Sequence, residues 1–215
     1  MVHADIHGGE PFLSSVEQHS EFLDYYINNG NARNISIHYT TNGTIWPTQQ
    51  WFEKWKHFKE IDLQISIDGI KERYEYIRYP ASWNTLESNV KRYIDYEKTQ
   101  HNFRLSVAHT VSAYNIYYLE EFVDWCAQIG LPAPWMGKLH SPDILRPTVW
   151  EKAAKDFIIA HLKSSRHLEV RKWAHHLASL DDSKLYNAFV NRTNAHDKYR
   201  KLDFKKHFPE LAPYI

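Results

Sequence analysis

A single carboxylate, Glu10, stands between two glycines and a proline in the run Gly8-Gly9-Glu10-Pro11, near the start of a 215-residue chain. Glycine lacks a Cβ, so the backbone there can approach a ligand closely, and proline fixes the exit of the turn. A carboxylate and carbonyls held in this way suit an ammonium group. Just ahead of it, His3, Asp5 and His7 alternate in HADIH. On a strand they share one face and offer the donors of a hydrolytic divalent metal. The same alternation arises on any strand that lines a polar cavity, and no second ligand pair accompanies it, so no metal ligand is assigned. Three further polar groups end similar stretches: Thr41 and Asn42 in TTNGT, Ser66 and Asp68 in SIDG, and Ser112 and Asn115 in HTVSAYN. Arg78 ends the ERYEYIR segment that follows SIDG.

The elements that must position these groups are visible in the hydrophobic period. VHADIH, NISIHYT, IDLQISID, FRLSVAHTVS and PWMGKLH alternate like strands, and helix-like stretches separate them. These are SSVEQHSEFLDYYINNG, PTQQWFEKWKHFKE, residues 82–98 and NIYYLEEFVDWCAQIG. Strands recur every ~25 to 40 residues, the length of a βαβ unit, which implies parallel strands and an α/β fold, barrel or doubly wound. Parity adds detail. Ile61, Leu63, Ile65 and Ile67 point one way, and Asp62, Gln64, Ser66 and Asp68 the other. Ser36, His38 and Thr40 likewise oppose Ile35, Ile37 and Tyr39. A polar sheet face fits a barrel interior with chemistry at the C-terminal strand ends. Beyond residue 146 no strand is convincing, and helices are expected over 148–163 and 168–189, followed by a polar tail. The expected division is therefore a barrel over 1–146 and a C-terminal helical extension over 147–215.

Composition excludes several classes. Lys+Arg and Asp+Glu are both 26, so no global basic field draws the chain to nucleic acid. Trp 8, Tyr 14 and Phe 10 are assigned to core packing in preference to base stacking. Cys126 is the only cysteine, which rules out an intrachain disulfide and fits a reducing, cytoplasmic compartment. No apolar run approaches the ~20 residues of a membrane span, and no signal peptide is visible. His175 and His176 are adjacent and read as a solvated helix face.

Taken in order, GGEP, TNG, S-x-D-G with a downstream I-R, and T-V-S-x-x-N resemble the radical S-adenosylmethionine superfamily over residues 2–140. The resemblance implies a partial (β/α)6 TIM-like barrel and S-adenosylmethionine as cofactor. In it Gly8, Gly9, Glu10 and Pro11 would hold the methionine amino group, and Arg78 the methionine carboxylate. Ser66 and Asp68 would lie near the ribose and methionine, Thr41 and Asn42 at the same mouth, Ser112 and Asn115 at the fourth strand, and residues 136–139 beside adenine. An intact member cleaves S-adenosylmethionine reductively to a 5′-deoxyadenosyl radical, which abstracts hydrogen from a substrate. The superfamily's C-x-x-x-C-x-x-C, which ligates a [4Fe–4S] cluster through three thiolates, has no counterpart here. The chain is therefore expected to start at the second strand, lacking the first βα unit, as a truncated or cluster-less form whose implied partner is a complementing N-terminal fragment or subunit. No catalytic residue is assigned, and peptide, nucleotide and small-metabolite substrates all stay open. The tail residues Asp197, Arg200, Phe204 and Phe208 to Leu211 resemble endings of twitch-type radical proteins of phages and marine microbes, a pattern that also describes an amphipathic terminal helix. A metal-dependent hydrolase built on HADIH and a non-catalytic nucleoside- or partner-binding module are the alternatives.

Overall fold

Alternating strands and helices follow one another as the sequence period requires. The computed structural model describes residues 2–6, 9–13 and 17–215; Gly8 and His7 lie outside them. In chain order the elements are β1 (Val2–Ile6), α1 (Glu17–Asn28), β2 (Ile35–Thr41), α2 (Gln49–Trp55), β3 (Glu60–Ser66), α3 (Lys71–Ile77) and α4 (Trp83–Thr99). There follow β4 (Phe103–Val111), α5 (Leu119–Ile129), β5 (Trp135–Lys138), α6 (Lys152–Ser164), α7 (Leu168–Ser179), α8 (Tyr186–Arg200) and α9 (Phe204–His207). The strand order is β1-β2-β3-β4-β5, so spatial and sequence order coincide. Pairing of β1 through β4 is parallel throughout. Parallel neighbours need a crossover connection, and the intervening helices supply it. The motif-bearing strands are thus parallel neighbours in the expected order.

The chain forms two compact units of interleaved segments. The first runs to Ile67 and adds Asn84–Ala108 and Ile129–Trp135. Its core is the apolar sheet face: Ile35, Ile37, Tyr39, Ile61, Leu63 and Ile65 are all buried. Register puts Tyr39 beside Leu63 and Leu63 beside Leu105, so this face is continuous across three strands. Trp55 of α2 fills the layer above it, in ring contact with Tyr39, Phe52 and Phe103. Asn102 fastens the helix end to the sheet by donating to the carbonyls of Trp55 and Phe58, both at 2.9 Å. On the opposite face His38 Nδ1 and Asp62 Oδ2 lie 2.8 Å apart, and Ser106 Oγ donates to Asp62 Oδ1 at 3.2 Å. Polar parity is satisfied by side chains reaching across strands.

The second unit comprises Asp68–Trp83, His109–Gln128 and Met136–Ile215. Tyr76, Trp150, Phe189, Phe204, Phe208 and Leu211 belong to its buried core. Trp150 Nε1 donates to the Ala113 carbonyl at 3.2 Å, which satisfies the one polar atom of that buried ring. The helix expected over 168–189 is broken in two. Asp181 Oδ1 accepts from the Ser183 N–H at 3.1 Å, and the Asp182 N–H donates to the Thr148 carbonyl at 3.2 Å. A short carboxylate that bonds nearby backbone competes with the helical ladder, as Asp181 does between α7 and α8. The polar-looking tail is also partly core. Asp197 accepts from the Tyr76 hydroxyl and from the Phe204 N–H, both at 2.7 Å, and Arg200 donates to the Tyr76 carbonyl at 3.2 Å. These bonds seat the buried Phe204, Phe208 and Leu211. Among the described residues no helix is long and apolar enough to cross a membrane.

Candidate functional site

In the first unit the chain leaves β1 and turns through Gly9, whose φ is +65°. Pro11 is buried, and Phe12 anchors the turn by ring contacts of 5.7–5.8 Å to Tyr39, Trp51 and Trp55. Between these anchors Glu10 meets the end of β2. Its carboxylate accepts from Thr41 Oγ1 at 2.6 Å and from the Asn42 N–H at 2.8 Å. Thr41 Oγ1 in turn accepts from the Gly43 N–H at 3.0 Å. Asn42 Oδ1 accepts from the N–H and hydroxyl of Thr44, at 2.8 and 2.6 Å. Asn89 of α4 donates to the Gly43 carbonyl at 2.9 Å and braces the whole turn. Among the described residues these two hydrogen bonds take up about half of a carboxylate's acceptor capacity. No Lys, Arg or His pairs with Glu10 among the described residues. The arrangement is a fixed, oriented anion at a parallel strand end, suited to an ammonium ligand. Ser66, the last residue of β3, is half-buried on the polar face of the same unit.

The second unit carries the other group. Asp68 is buried, and its Oδ2 accepts from Arg78 Nε at 2.8 Å and lies 2.7 Å from Nη2. Asp68 Oδ1 accepts from the Thr110 N–H at 2.8 Å. The expected ligand carboxylate would therefore share Arg78 with an internal one. Asn115 works as a clamp. Its Nδ2 donates to the carbonyls of Asp68 at 3.0 Å and Thr110 at 2.9 Å, while its Oδ1 accepts from the Ser112 N–H at 2.7 Å. Both donors of that amide are consumed by backbone. The Ser112 hydroxyl is different: it is buried and finds no hydrogen-bond partner among the described residues. A buried hydroxyl without a partner costs free energy unless a ligand completes it.

Sequence reasoning named Glu10, Pro11, Gly9, Thr41, Asn42, Ser66, Asp68, Arg78, Ser112 and Asn115, and each lies at or just beyond a strand end or, for Arg78, at the end of α3. It did not find Asn89 or Thr110. Asn89 sits mid-helix on an otherwise ordinary amphipathic surface, so only its position opposite Gly43 marks it. His3 Nε2 and Asp5 Oδ1 lie 3.1 Å apart on exposed β1. A different set, Glu120, Asp124 and His167, brings its ligand atoms within 4.8 Å of one another. Asp124 Oδ1 there already holds His167 Nε2 at 2.6 Å and Arg166 Nη2 at 2.5 Å. Cys126 is buried on α5, and burial pushes its thiol up to about 12.

Comparison with known proteins gives the same direction. No family model matches the chain. A cysteine-type anaerobic sulfatase-maturating enzyme of Clostridium novyi (strain NT) is 36% identical over 92 residues, covering 39% of this chain and 23% of the enzyme. Native anSMEcpe with bound S-adenosylmethionine and the Cp18Cys peptide superposes with a TM-score of 0.54 at 14% identity, over 75% of this chain and 45% of that one. The same protein with S-adenosylmethionine alone superposes equally well, at 0.54 over 74% of this chain. The chain is thus similar to a cysteine-type anaerobic sulfatase-maturating enzyme over part of its length, and to anSMEcpe in fold. Its fold is α/β, a partial TIM-like barrel like that of anSMEcpe, with additional helices. The chain spans less than half the length of these sulfatase-maturating relatives.

Proposed function

We propose that this radical S-adenosylmethionine relative binds S-adenosylmethionine, with Glu10 receiving the methionine ammonium group. The observation that carries the reading is the Glu10 carboxylate. It is oriented by Thr41 and Asn42, and no Lys, Arg or His among the described residues pairs with it. Gly9 and Pro11 shape the turn that presents it, and Gly8 completes the motif. Ser66, on the polar face of the same unit as Glu10, would lie near the ribose and methionine. Asn115 then serves by holding the strand-end loops. When bound, S-adenosylmethionine supplies a sulfonium centre whose reductive cleavage is the superfamily's radical source. This chain's residues hold the molecule and supply no electron.

A [4Fe–4S] cluster does not fit the donors present. Three thiolates are required, and the sequence has one cysteine, buried and held as a neutral thiol. That mismatch favours a role in binding S-adenosylmethionine within a larger assembly that brings the thiolates from elsewhere. The test is calorimetry with two ligands, S-adenosylmethionine and 5′-methylthioadenosine, which lacks the amino-acid portion. Glu10→Gln should weaken S-adenosylmethionine about tenfold, the worth of one charge-assisted contact. The same substitution should leave 5′-methylthioadenosine unaffected. Equal losses for both ligands, or none for either, would place the ammonium group elsewhere.

A further inference from the structure

The second unit holds a cavity of about 340 Å³ whose lining includes Lys138, His140, Arg146, Thr148, His176 and Asp182. That volume is within the usual range for a small-molecule pocket, about 300–1,000 Å³. Its floor is tied to the sheet: the Leu139 N–H donates to the Val111 carbonyl at 3.2 Å, and the Ala113 N–H to the Leu145 carbonyl at 2.9 Å. The cavity therefore opens beyond the C-terminal ends of β4 and β5, next to Ser112 and Asn115 in sequence. In parallel α/β folds ligands bind at that edge. Neither the GGEP turn nor the Asp68–Arg78 pair accounts for it.

The charges around the cavity are unequally engaged. Asp182 Oδ2 accepts from Thr148 Oγ1 at 2.5 Å, and its Oδ1 lies 4.0 Å from Arg146 Nη1. Asp181, also in the lining, is bound by Lys155 Nζ at 2.8 Å and by the Ser183 N–H. Arg146 Nη2 reaches Asp143 at 2.7 Å and donates to the His140 carbonyl at 3.0 Å. Both lining carboxylates are thus occupied by internal donors. Lys138 pairs with no carboxylate among the described residues. The His176 imidazole is held below its ordinary value by burial first, then by the Lys138 ammonium and by His175. The charges that act on this ring are cationic, although two aspartates line the same cavity. A half-buried imidazole beside an uncompensated ammonium is a positive site awaiting an anion.

We propose that this cavity binds an oxyanion, carboxylate or phosphate, between Lys138 and His176, as the anionic group of the substrate. The inference rests on the S-adenosylmethionine reading only for the word substrate; the oxyanion site itself stands on the cavity and its charges. An oxyanion would give Lys138 its counter-charge and accept from the His176 ring, two charge-assisted contacts of the kind that fix a ligand's orientation. His140 and Arg146 line the same cavity, Arg146 already paired with Asp143.

Histidine imidazole resonances of the full chain provide the test, with His176→Asn assigning the signal. Inorganic phosphate and, separately, acetate are titrated against sodium chloride at matched ionic strength, without S-adenosylmethionine. The expected result is a saturable shift of the His176 signal by phosphate, acetate or both, with its pKa moving upward in the bound state. The more effective anion tells phosphate from carboxylate. Lys138 is exposed, so Lys138→Gln should fold normally, and it should weaken the saturable shift about tenfold. Lys152→Gln, on an exposed lysine of α6, should not. A shift no larger than chloride's, or a saturable shift indifferent to Lys138→Gln, would overturn the proposal. Loss of S-adenosylmethionine binding with anion binding intact would overturn only the cofactor reading, and the reverse result only this one.

Discussion

Substituting Gly43 by alanine should be among the most damaging one-methyl changes in the first unit. Gly43 has φ +72°, a left-handed conformation that costs a non-glycine residue about 1–2 kcal/mol. An ideal Cβ there would stand 2.7 Å from Ile65 Cγ2 and 2.8 Å from Leu86 Cδ1. Carbon pairs prefer about 3.5–4.0 Å. Ile65 of β3 and Leu86 of α4 are both fully buried, so neither can swing away into solvent. Overpacking of this kind costs about 1–3 kcal/mol more, for a total of about 2–5 kcal/mol. Gly130, which closes α5, isolates the conformational part: its φ is +86°, and nothing lies within 4 Å of an added Cβ. Gly130→Ala should therefore lose only about 1–2 kcal/mol. For a chain of this size 1 kcal/mol moves Tm by about 2–4 °C. The extra steric cost should set the two variants apart by about 2–12 °C in thermal unfolding followed by circular dichroism. Equal Tm values for Gly43→Ala and Gly130→Ala would refute the packing argument and leave only the backbone term.

Two other predictions concern buried titratable groups. Cys126, with its thiol pushed up to about 12 by burial, should resist a thiol reagent at pH 8 in the folded chain and react at once in guanidinium; fast native labelling would contradict its burial. His19 is packed against Trp51 and Tyr39, and its Nε2 lies 3.0 Å from the Tyr39 hydroxyl. Burial lowers its pKa from 6.5 to about 4. The unfolded chain then binds this proton more readily than the folded one, so stability is complete above pH 6.5 and declines as pH falls toward 4. Urea midpoints measured across that window should slope downward with acid, and His19→Gln should flatten the slope; an unchanged slope would assign the acid sensitivity to other groups.

The period of the sequence determined the α/β class, the parallel order and the two sheet faces. Strand parity needs only the alternation of Ile61, Leu63 and Ile65 with Asp62, Gln64 and Ser66, and short βα connections leave few other arrangements. The strand-end positions of Glu10, Asn42, Asp68 and Ser112 were legible for the same reason: turn chemistry is local, and local rules can be read from neighbours along the chain. The C-terminal helices were less legible. The pattern over 168–189 looks continuous until Asp181 and Asp182 find partners at Ser183 and Thr148, and one of those partners is far away in sequence. Likewise the tail reads as polar because lysines separate its aromatics, yet Asp197 and Tyr76 join across 121 positions and Phe204 and Phe208 become core. Only tertiary structure could decide how each polar residue is spent. Asn115 has both amide donors tied to backbone, while the hydroxyl of Ser112, three residues earlier, finds no partner among the described residues. Glu10 is oriented by groups 31 and 32 positions away, and His176 and Lys138, from separate elements, line one cavity. Hydrogen bonds and fields act through space, and a sequence records only which residues exist to feel them.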